Sequence, residues 1–546
     1  MGGGKIRLDR NFVHGSHNSG KVLPTQVRIG TIPSMNKRLS AFAGAVSVLE
    51  KTGTGDPEIT TLVYDSRKAV PGSLFFALSG LHTDGAAYIA QAIANGARAV
   101  VLSVKPEPVH PDVVYLRVED PRFAMSALAA EFHDHPSRDM AVIGVTGTEG
   151  KSTTVSLVFQ LLRLCGKKAG FISTVDYCLG GEILANPEHQ TTPEAVTIHE
   201  KLAQMRDNGV EYAVIESSSH GLSPRTNRLG DVAFDAGIMT NVTHEHLEFH
   251  GTHEQYKNDK ANLFRALDRF DHGKNGRIIP SFGVVNEEDP ASVYFRAATG
   301  KPVYGFSTWA NTRKGASASA IETDARGSSF ILSASGEDFP ARINLPGSFN
   351  VYNALAAAIT VARILEIPVS QIVPLLPELI PVTGRMTPID AGQPFEVLVD
   401  YAHTPSSFQT VFPPLRKRIS GKIISVFGSG GERDTLKRAE QGRIAGDYSD
   451  IVILTDEDPR NEEPMAILEM IATGCPGKKR GDELFLIPDR PAAIRKAVSL
   501  AKPGDLVLLL GKGHENSIIY RDRTDPYDEI SEAKNALAEA GYRGSK

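Results

Sequence analysis

Apolar and polar positions alternate along the chain in short strand-like runs and longer stretches of helical spacing. In residues 60–118 short apolar runs flank a helical stretch near Tyr88, which predicts a small α/β unit. From Met140 the strand "MAVIGV" leads through a glycine loop into an amphipathic helix and then the strand "GFIST". The strands "YAVIES", "DAGIMTN" and "SFGVVN" continue this series. The pattern predicts a parallel sheet built from βαβ units.

A second parallel series follows "PELIPVTGRMTPIDAGQP", a linker rich in proline and glycine. Before the linker, "ASASAIETDARGSSFILSA" predicts a hairpin and residues 351–365 an apolar helix. After it come "FEVLVDYA", "KIISVFG", "DIVILTDEDP", "LFLIPD" and "DLVLLLGKG". Each ends in polar or glycine residues, as expected where ligands bind at the carboxyl ends of parallel strands. We predict an α/β fold of three domains: a small α/β domain at 39–138, a P-loop ATPase-like parallel sheet at 139–378 and a Rossmann-like domain at 379–546.

The first residues, 1–38, are polar and glycine-rich and show no period. They predict a disordered extension. An alternative is that translation starts at Met35, because the regular pattern of apolar and polar positions begins close to Leu39. N-terminal sequencing of the native protein distinguishes the two.

Composition and charge narrow the functional classes. Hydrophobic residues make up 41% of the 546 residues and charged residues 23%, as in an ordinary globular protein. No apolar run approaches the ~20 residues needed to cross a bilayer, so we expect no membrane insertion. The net charge of −5 predicts no general affinity for nucleic acid. Three cysteines without a CxxC pair, and the lack of an apolar signal segment, indicate a reducing, cytoplasmic setting.

The glycine loop "GVTGTEGKSTT" carries the strongest chemical signal. A strand, a glycine turn and Lys151-Ser152 at the start of a helix supply free N–H groups, an ammonium and a hydroxyl, which phosphate and magnesium binding require. The usual loop has a glycine five positions before the Gly-Lys pair, where this chain has Val145. The loop is therefore a shorter variant. Because a carboxylate here would repel phosphate, we expect Glu149 to face solvent or a basic partner.

Two further segments offer metal ligands. Glu216 ends the strand "YAVIES" before a cluster of serines, and "HEHLEFHGTHEQYKNDKANLF" brings several His and Glu residues together. Taken alone, a strand-end Glu beside serines is more often a helix cap than a metal ligand. The histidine cluster contains no cysteine and no HExxH spacing, which disfavours zinc. A hard cation such as Mg²⁺, with one imidazole and several oxygen ligands, fits better.

The shorter loop "TGTEGKST" is similar to that of the Mur ligases and folylpolyglutamate synthetases, ATP-dependent enzymes that form amide bonds. From Leu39 onward the chain resembles the Mur ligases over nearly its whole length. The motifs occur in the family's order: "YDSRKAVPGSLFFALSGLHTDGAAYI", "TGTEGKST", "TTP", "ESSSHGL", "HEHLEFHGTHEQYKNDKANLF", "LPGSFNVYNALAA", "GRM", "DYAHTP", "FGSGGERDTLKR", "DEDPRNEEP" and "GKGHE". The resemblance implies a cytoplasmic, monomeric ligase. It would add meso-diaminopimelate, L-lysine or L-ornithine to UDP-MurNAc-L-Ala-D-Glu through an acyl phosphate, in peptidoglycan precursor synthesis.

The resemblance also implies roles for individual residues, with ATP and Mg²⁺ as cofactors. Catalytic roles fall on Lys151, Lys260, His246 and Glu216. Magnesium ligands are Ser152, Glu216, His246 and Lys260, the last modified to a carbamate. ATP contacts fall on Thr146, Gly147, Thr148, Glu149, Gly150, Lys151, Ser152, Asn350, Arg385, Asp400, His403 and Lys437. The first domain would hold the uridine nucleotide, and the UDP-MurNAc-dipeptide contacts are Ser66, Thr191, Thr192, Ser218 and Arg228, with Arg225 as a competitor for the last position. The incoming amino acid would meet Arg433, Asp458, Arg460, Gly511 and Glu515.

The amino-acid motif departs from the family's pattern. Members that use meso-diaminopimelate typically read "DNPR", whereas this chain reads "EDPR" at residues 457–460. Arg460 and Arg433 favour a second carboxylate on the substrate. Glu457 and Asp458 favour a terminal ammonium, because an added carboxylate repels another when both are desolvated. The distal group of the diamino acid stays open at this point.

Two rival functions differ in what they require. A folylpolyglutamate synthetase would lack the "DSR" and "GSLFFALSG" unit that precedes the loop here. A P-loop switch ATPase would carry a DxxG element and would hydrolyse ATP without a UDP-sugar peptide or an amino acid.

Overall fold

The computed structural model describes residues 36–543, except 80–83, 106, 189, 244–246, 309–313 and 325. Three main β-sheets follow one another along this part of the chain, and helices cover them. The predicted α/β fold class is thereby confirmed. One main sheet lies within each predicted domain range, whose limits stay predictions.

The N-terminal sheet has five strands, of which the last four in spatial order run parallel. In spatial order the strands are Glu50–Thr52, Val114–Arg117, Ala97–Leu102, Ser73–Phe76 and Thr61–Val63. The helices of this region are Leu39–Phe42, Ile89–Ala94 and Pro121–Phe132, with 3-10 turns at Ala43–Ala45, Ser66–Lys68, Gly85–Tyr88 and Pro136–Arg138. A two-stranded ladder joins Lys37–Arg38 to Glu58–Ile59.

The central sheet has eleven strands with a parallel middle and antiparallel edges. In spatial order they are Ile183–Ala185, Asp176–Cys178, Ala169–Ile172, Tyr212–Glu216, Ala141–Thr146, Ala236–Met239, Phe282–Asn286, Val303–Ser307, Gly315–Asp324, Gly327–Ala334 and Glu337–Ile343. The helices are Lys151–Leu164, Ala195–Asp207, Ser219–Leu222, Leu247–His250, His253–Ala266, Ser292–Ala297 and Ser348–Ile364, followed by 3-10 turns at Val369–Gln371 and Val373–Glu378. A small hairpin pairs Gly273–Lys274 with Arg277–Ile278. The predicted hairpin is present, and a third strand that the sequence pattern did not indicate extends it.

The C-terminal sheet has six strands, of which the last five in spatial order run parallel. In spatial order the strands are Thr387–Pro388, Glu396–Asp400, Leu506–Leu510, Ile423–Phe427, Ile451–Leu454 and Leu484–Leu486. The helices are Pro405–Arg418, Leu436–Tyr448, Pro464–Ala472, Arg490–Leu500 and Glu529–Glu539. A hairpin pairs Ser517–Ile519 with Thr524–Pro526.

The helix Lys151–Leu164 packs on the central sheet and against the apolar helix Ser348–Ile364, which packs on the same sheet, in one continuous core. Its apolar positions recur at helical spacing, and Val155, Val158 and Leu161 are fully buried. Burying such side chains stabilises the fold by about 1.5–3 kcal/mol each. This packing holds the start of the helix, and therefore the glycine loop, at the carboxyl edge of the sheet.

Among the described residues, no single helix combines the length and apolarity needed to cross a membrane, although the bent pair Ser348–Ile364 and Val369–Glu378 meets both criteria by length and composition alone.

Candidate active site

The glycine loop follows the central strand Ala141–Thr146 and leads directly into the helix Lys151–Leu164. A Cβ at Gly147 would come to 1.9 Å of a threonine hydroxyl, and one at Gly150 would come to 2.5 Å of Asn353 Oδ1. Gly150 also has a φ of +81°, a backbone conformation that is strained for residues other than glycine. The first N–H groups of the helix have no intrahelical acceptor and carry the positive end of its dipole. The loop therefore has the form of a phosphate-binding helix N-terminus.

Lys151, Ser152 and Glu216 form a polar centre at this helix start. The Lys151 ammonium donates to Thr148 O at 2.6 Å. The Ser152 hydroxyl donates to Glu216 Oε1 at 3.1 Å, and Thr174 N donates to Glu216 Oε2 at 2.8 Å. The structure thus brings together the hydroxyl and the carboxylate predicted to bind magnesium.

These two groups fit Mg²⁺ by their chemistry, because a hydroxyl and a carboxylate are hard oxygen ligands and lie in contact. His246, the predicted imidazole ligand, lies outside the described residues. No group of three or more His, Cys, Asp or Glu side chains that could hold a metal occurs in the described part of the chain. A site with few protein ligands suits Mg²⁺, which usually keeps several waters and binds substrate phosphates.

Lys260 lies directly against the glycine loop and is almost fully buried. It belongs to the helix His253–Ala266, and its ammonium donates to Gly147 O at 2.6 Å. The same ammonium lies 4.4 Å from the ring centroid of Tyr256, whose hydroxyl is 3.1 Å from Thr148 Oγ1. The predicted lysine therefore contacts the loop that it is expected to serve, while its carbamate form stays a prediction.

A buried histidine that the sequence analysis did not single out positions this helix. His250 Nδ1 lies 2.8 Å from Asp259 Oδ2, and His250 Nε2 lies 3.0 Å from Ser219 Oγ. Asp259 directly precedes Lys260, and Ser219 begins the short helix after Glu216. The pair therefore links the segments that carry two predicted catalytic residues. Its signal was the run of histidines in "HEHLEFH", which was interpreted only as a cation cluster.

Asn241 is a second residue that the sequence analysis missed. Its backbone oxygen accepts from Thr148 N at 2.8 Å, and its Oδ1 accepts from Glu149 N at 2.8 Å. These bonds tie the loop to the segment that follows the strand Ala236–Met239. The Glu149 side chain is half-buried, and its Oε1 lies 3.5 Å from Thr404 Oγ1 in the C-terminal region. Glu149 Oε1 thus lies near the C-terminal region, and a basic partner for this carboxylate stays a prediction.

A cavity of about 410 Å³ lies beside the loop, between the central and C-terminal regions. Several residues predicted to bind ATP line it: Glu149, Gly150, Asn350, Arg385 and Asp400. Lys437 reaches its edge indirectly, because its ammonium donates to His403 O at 3.3 Å and the preceding Ala402 lines the cavity. A hydrogen bond of 2.9 Å between Thr243 Oγ1 and Ser406 Oγ spans the two regions. The cavity is the candidate nucleotide site.

Asp400 and Arg385 both line the cavity wall. Asp400 accepts from Met386 N and Ala402 N, each at 2.8 Å. Burial raises the pKa of Asp400, and the nearby Arg385 opposes this shift. The Arg385 guanidinium lies 4.7 Å from the ring centroid of Tyr401, which holds it in place.

The residues predicted to hold the UDP-MurNAc-dipeptide fall in two places. Thr192 Oγ1 donates to Glu216 O at 2.9 Å and accepts from Ser218 N at 3.0 Å, so both lie beside the magnesium candidates. Thr191 is half-buried next to them. Ser66 lies in the N-terminal region, where its hydroxyl donates to Gln91.

Arg228 lies with this threonine cluster. It donates to Thr192 O and to Glu194 Oε1, each at 2.8 Å. The competing Arg225 donates instead to Phe249 O at 2.6 Å. The two arginines thus differ in their partners, and the role of Arg228 as a substrate contact stays a prediction.

The residues predicted to meet the amino acid gather at the carboxyl edge of the C-terminal sheet. We call the group Glu457, Asp458 and Glu515, together with Gly430 and Gly511, the acid crevice. Its members are brought together from three loops.

Arg460 and Arg433 border the acid crevice differently. Arg460 Nη2 lies 4.0 Å from Asp458 Oδ2, and its Nη1 donates to Gly431 O at 3.3 Å. Arg433 is exposed, with its Cγ 3.5 Å from the position of a Cβ on Gly430.

Lys512 is the charged residue at this edge that the sequence analysis passed over. Its buried ammonium lies 2.9 Å from Asp458 Oδ1 and 2.5 Å from Glu515 Oε2. The motif "GKGHE" contains it, but only the fold shows which acids it meets.

Comparisons with known proteins agree with this geometry. Residues 58–133 match the family described as Mur ligase family, catalytic domain. Residues 145–361 match the Mur ligase middle domain, and residues 384–513 the Mur ligase glutamate ligase domain. The chain belongs to the Mur ligase family and is therefore an enzyme of the ligase class.

Within this family the chain is similar to proteins named UDP-N-acetylmuramyl-tripeptide synthetase. One from Treponema denticola is 53% identical over 92% of this chain and 98% of its own length. A protein from Geobacillus kaustophilus named UDP-N-acetylmuramoyl-L-alanyl-D-glutamate--2,6-diaminopimelate ligase is 37% identical over 89% of this chain and 96% of its own length. A solved structure of an enzyme with that second name superposes with a TM-score of 0.61 at 27% identity, covering 92% of this chain and 99% of the other. The predicted family is confirmed.

Proposed function

We propose that this protein ligates a diamino acid to UDP-MurNAc-L-Ala-D-Glu, with ATP consumed, in peptidoglycan precursor synthesis. The observation that supports the proposal is the position of the 410 Å³ cavity. It lies beside the glycine loop, between the central and C-terminal regions, which the hydrogen bond from Thr243 to Ser406 joins. The names of the relatives supply the substrate class. meso-Diaminopimelate, L-lysine and L-ornithine are the candidate amino acids.

The first half-reaction needs a phosphate donor in line with a carboxylate. The substrate carboxylate oxygen attacks the γ-phosphorus of ATP, a P–O bond forms, and the bond to the bridging oxygen breaks to release ADP. In the proposed arrangement Lys151 and the N-terminus of its helix offset the negative charge that develops. Lys151 is already directed at the loop by its contact with Thr148 O.

In the second half-reaction the amine of the diamino acid attacks the acyl phosphate carbonyl. The C–O bond to phosphate breaks, and the nitrogen loses a proton. The acid crevice lies at the carboxyl edge of the same C-terminal sheet whose loop at Ser406 contacts the central region. Closure of the two regions would bring amine and acyl phosphate into contact.

We assign Mg²⁺ to the group formed by Ser152, Glu216, His246 and Lys260 as a carbamate. When bound, the ion offsets phosphate charge. The contact between Ser152 and Glu216 supports this assignment. A carbamate on Lys260 would replace a cation that repels the metal by two oxygen ligands.

The UDP-MurNAc-dipeptide contacts stay proposals as well: Ser66, Thr191, Thr192, Ser218 and Arg228. Arg228 is already committed to Glu194, so the substrate would meet a guanidinium held in a fixed direction. We further propose a monomer. We also propose a reducing, cytoplasmic setting, which the free state of Cys165, Cys178 and Cys475 supports.

The proposal is tested by measuring ADP release from the purified chain with each substrate present or omitted. We expect release to require both UDP-MurNAc-L-Ala-D-Glu and a diamino acid, with a product heavier by one amino-acid residue. Steady ATP hydrolysis without either would instead indicate a P-loop switch. Glutamate addition to a folate would indicate a folylpolyglutamate synthetase.

A further inference from the structure

Glu194 is a buried carboxylate that receives two arginines. Arg228 Nη2 donates to Glu194 Oε1 at 2.8 Å, and Arg122 Nη1 lies 3.2 Å from the same oxygen and 3.4 Å from Oε2. Glu194 is the N-cap residue of the helix Ala195–Asp207, yet its side chain accepts no capping hydrogen bond from that fully described helix. The carboxylate therefore serves the two arginines and not the helix.

The Arg228 guanidinium is held on both sides by one short segment. Its Nη2 bonds to Glu194, and its Nη1 donates to Thr192 O at 2.8 Å. A guanidinium is planar, so two fixed bonds leave it little freedom to turn. The bond to Glu194 is the charged one. Without it, only a neutral backbone oxygen would set the direction of Arg228.

Arg122 connects this group to the N-terminal region. It belongs to the helix Pro121–Phe132, which shares an apolar core with Ala195 and Val196, directly after Glu194. The backbone on both sides of the contact is thereby packed in place. Hydrogen bonds then run in series from the N-terminal helix to the strand end predicted to bind magnesium, through Arg122, Glu194, Arg228, Thr192 and Glu216.

Two guanidiniums on one carboxylate leave this group with one positive charge in excess. Arg122 and Arg228 are only half-buried, whereas Glu194 is 6% exposed. An anionic group of a substrate would be attracted to such a group. The dipeptide end of UDP-MurNAc-L-Ala-D-Glu carries carboxylates, which have the charge that the group favours.

We propose that Glu194 is a positioning residue for ligation: it fixes the direction in which Arg228 meets a carboxylate of the UDP-MurNAc-dipeptide, and Arg122 holds Glu194 in turn. This inference rests on the proposed ligase function, with Arg228 as a substrate contact. Glu194 acts through Arg228 alone.

The first experiment measures two KM values of the full chain, for UDP-MurNAc-L-Ala-D-Glu and for ATP, in wild type and in Glu194→Gln. We expect the KM for the UDP substrate to rise about 10- to 30-fold, because the amide removes the charged partner of Arg228. The KM for ATP should stay within about twofold of wild type, since the nucleotide cavity lies elsewhere.

Three outcomes of this experiment would count against the proposals. An unchanged KM for the UDP substrate would overturn the inference and leave the ligase function intact. Equal rises in both KM values would overturn it as well, because a general loss of structure moves both. Absence of ligation by wild type with meso-diaminopimelate, L-lysine and L-ornithine would overturn the ligase function itself.

The second experiment is a double-mutant cycle between Glu194 and Arg228. If Glu194 acts through Arg228, Glu194→Gln should add less than about twofold to the KM for the UDP substrate once Arg228→Gln is present. Effects that multiply in the double variant would show that Glu194 acts independently, which contradicts the proposal.

Two milder variants test the same group without removing the Glu194 charge. Glu194→Asp keeps the charge on a shorter side chain, and Arg122→Gln keeps the bond between Glu194 and Arg228. We expect each to raise the KM for the UDP substrate about threefold, less than Glu194→Gln. Circular dichroism checks that every variant is folded. Wild-type KM in both variants would contradict the proposal.

Asp207→Asn is the matched control. Asp207 is an exposed acid of the same helix, and it accepts from Arg206 Nε at 3.0 Å. The substitution removes the same charge from another pair of an arginine and an acid, and it should leave both KM values at wild type. A rise equal to that of Glu194→Gln would show that net charge, and not contact with Arg228, sets the KM.

Discussion

Two buried charged groups in this molecule are built in opposite ways. In the central region Asp235 accepts from Val142 N, His272 and Lys274 at 2.8, 2.9 and 2.5 Å. The Lys274 ammonium also donates to three backbone oxygens, of Ser137, Met140 and Ala233. In the acid crevice, Glu457 keeps an oxygen without a partner among the described residues.

This difference indicates a structural role for the Asp235 and Lys274 group and a functional role for Glu457. Burial lowers the pKa of Lys274, and Asp235 opposes that shift. The two charges are held inside the protein because they bond to each other and to the surrounding backbone. A group with all its bonds made inside the protein has none to offer a ligand. Glu457 has an oxygen without such a bond, and this Oε2 packs directly against Gly511. The Asp235 group is therefore completed within the scaffold, whereas Glu457 is not.

The largest effect is expected from breaking the complete group. Lys274→Met leaves Asp235 and three carbonyl oxygens without their cation, which should lower the free energy of unfolding by about 3–5 kcal/mol. Urea unfolding monitored by circular dichroism measures this. Arg277→Met, at an exposed position of the same hairpin, should change it by less than about 0.5 kcal/mol. Equal stability of the two variants would contradict the structural role.

Substitution of a second buried lysine, Lys260, is expected to reduce activity and to leave the fold intact. Lys260→Ala should reduce ligation about 100- to 1,000-fold while the protein stays folded, because the side chain lies against the glycine loop and its proposed carbamate belongs to the Mg²⁺ group. Added bicarbonate should not restore activity, since no amine remains to form a carbamate. ADP release and circular dichroism together measure this. Wild-type turnover would refute the carbamate role.

An intermediate effect is expected from Asp456, which precedes Glu457. Burial raises the pKa of Asp456 to about 6, and the Tyr520 hydroxyl opposes the shift. Because the folded pKa is raised, this carboxyl favours folding at low pH and costs stability as pH rises from about 4 to about 6.

The pH dependence is measured by unfolding wild type and Asp456→Asn at pH 4.5 and 7.5. Relative to wild type, the variant should gain about 1–2 kcal/mol between the two values. A difference that does not depend on pH would show that Asp456 titrates as it does in the unfolded chain.

The smallest effect on stability is expected at Glu457 itself. Glu457→Gln should change the free energy of unfolding by less than about 1 kcal/mol, because it removes a buried charge that made no internal hydrogen bond at Oε2. Thermal unfolding without ligands measures this. A loss as large as that of Lys274→Met would place Glu457 with the structural group and remove the contrast.

Sequence reasoning reached the fold class and much of the candidate site, because both leave local patterns. The glycines and Lys151 of the loop are adjacent in the chain, and a strand-end carboxylate such as Glu216 is expected at the same sheet edge. The sequence did not predict the pairing of His250 with Asp259 or the position of Asn241. Those contacts join segments whose approach is set by packing.

The amino-acid site shows the same limit. The sequence alone placed Glu457, Asp458 and Arg460 in one motif, but it treated the two acids as equivalent. Only the fold directs Lys512 to Asp458 and leaves Glu457 beside Gly511.

By itself the sequence determined the periodic elements, the phosphate loop and the family, since periodicity and motif order are properties of neighbouring residues. The tertiary structure decided which charges neutralise one another. An ion pair depends on a few ångströms between side chains from distant loops, and the chain's linear order does not encode that distance directly.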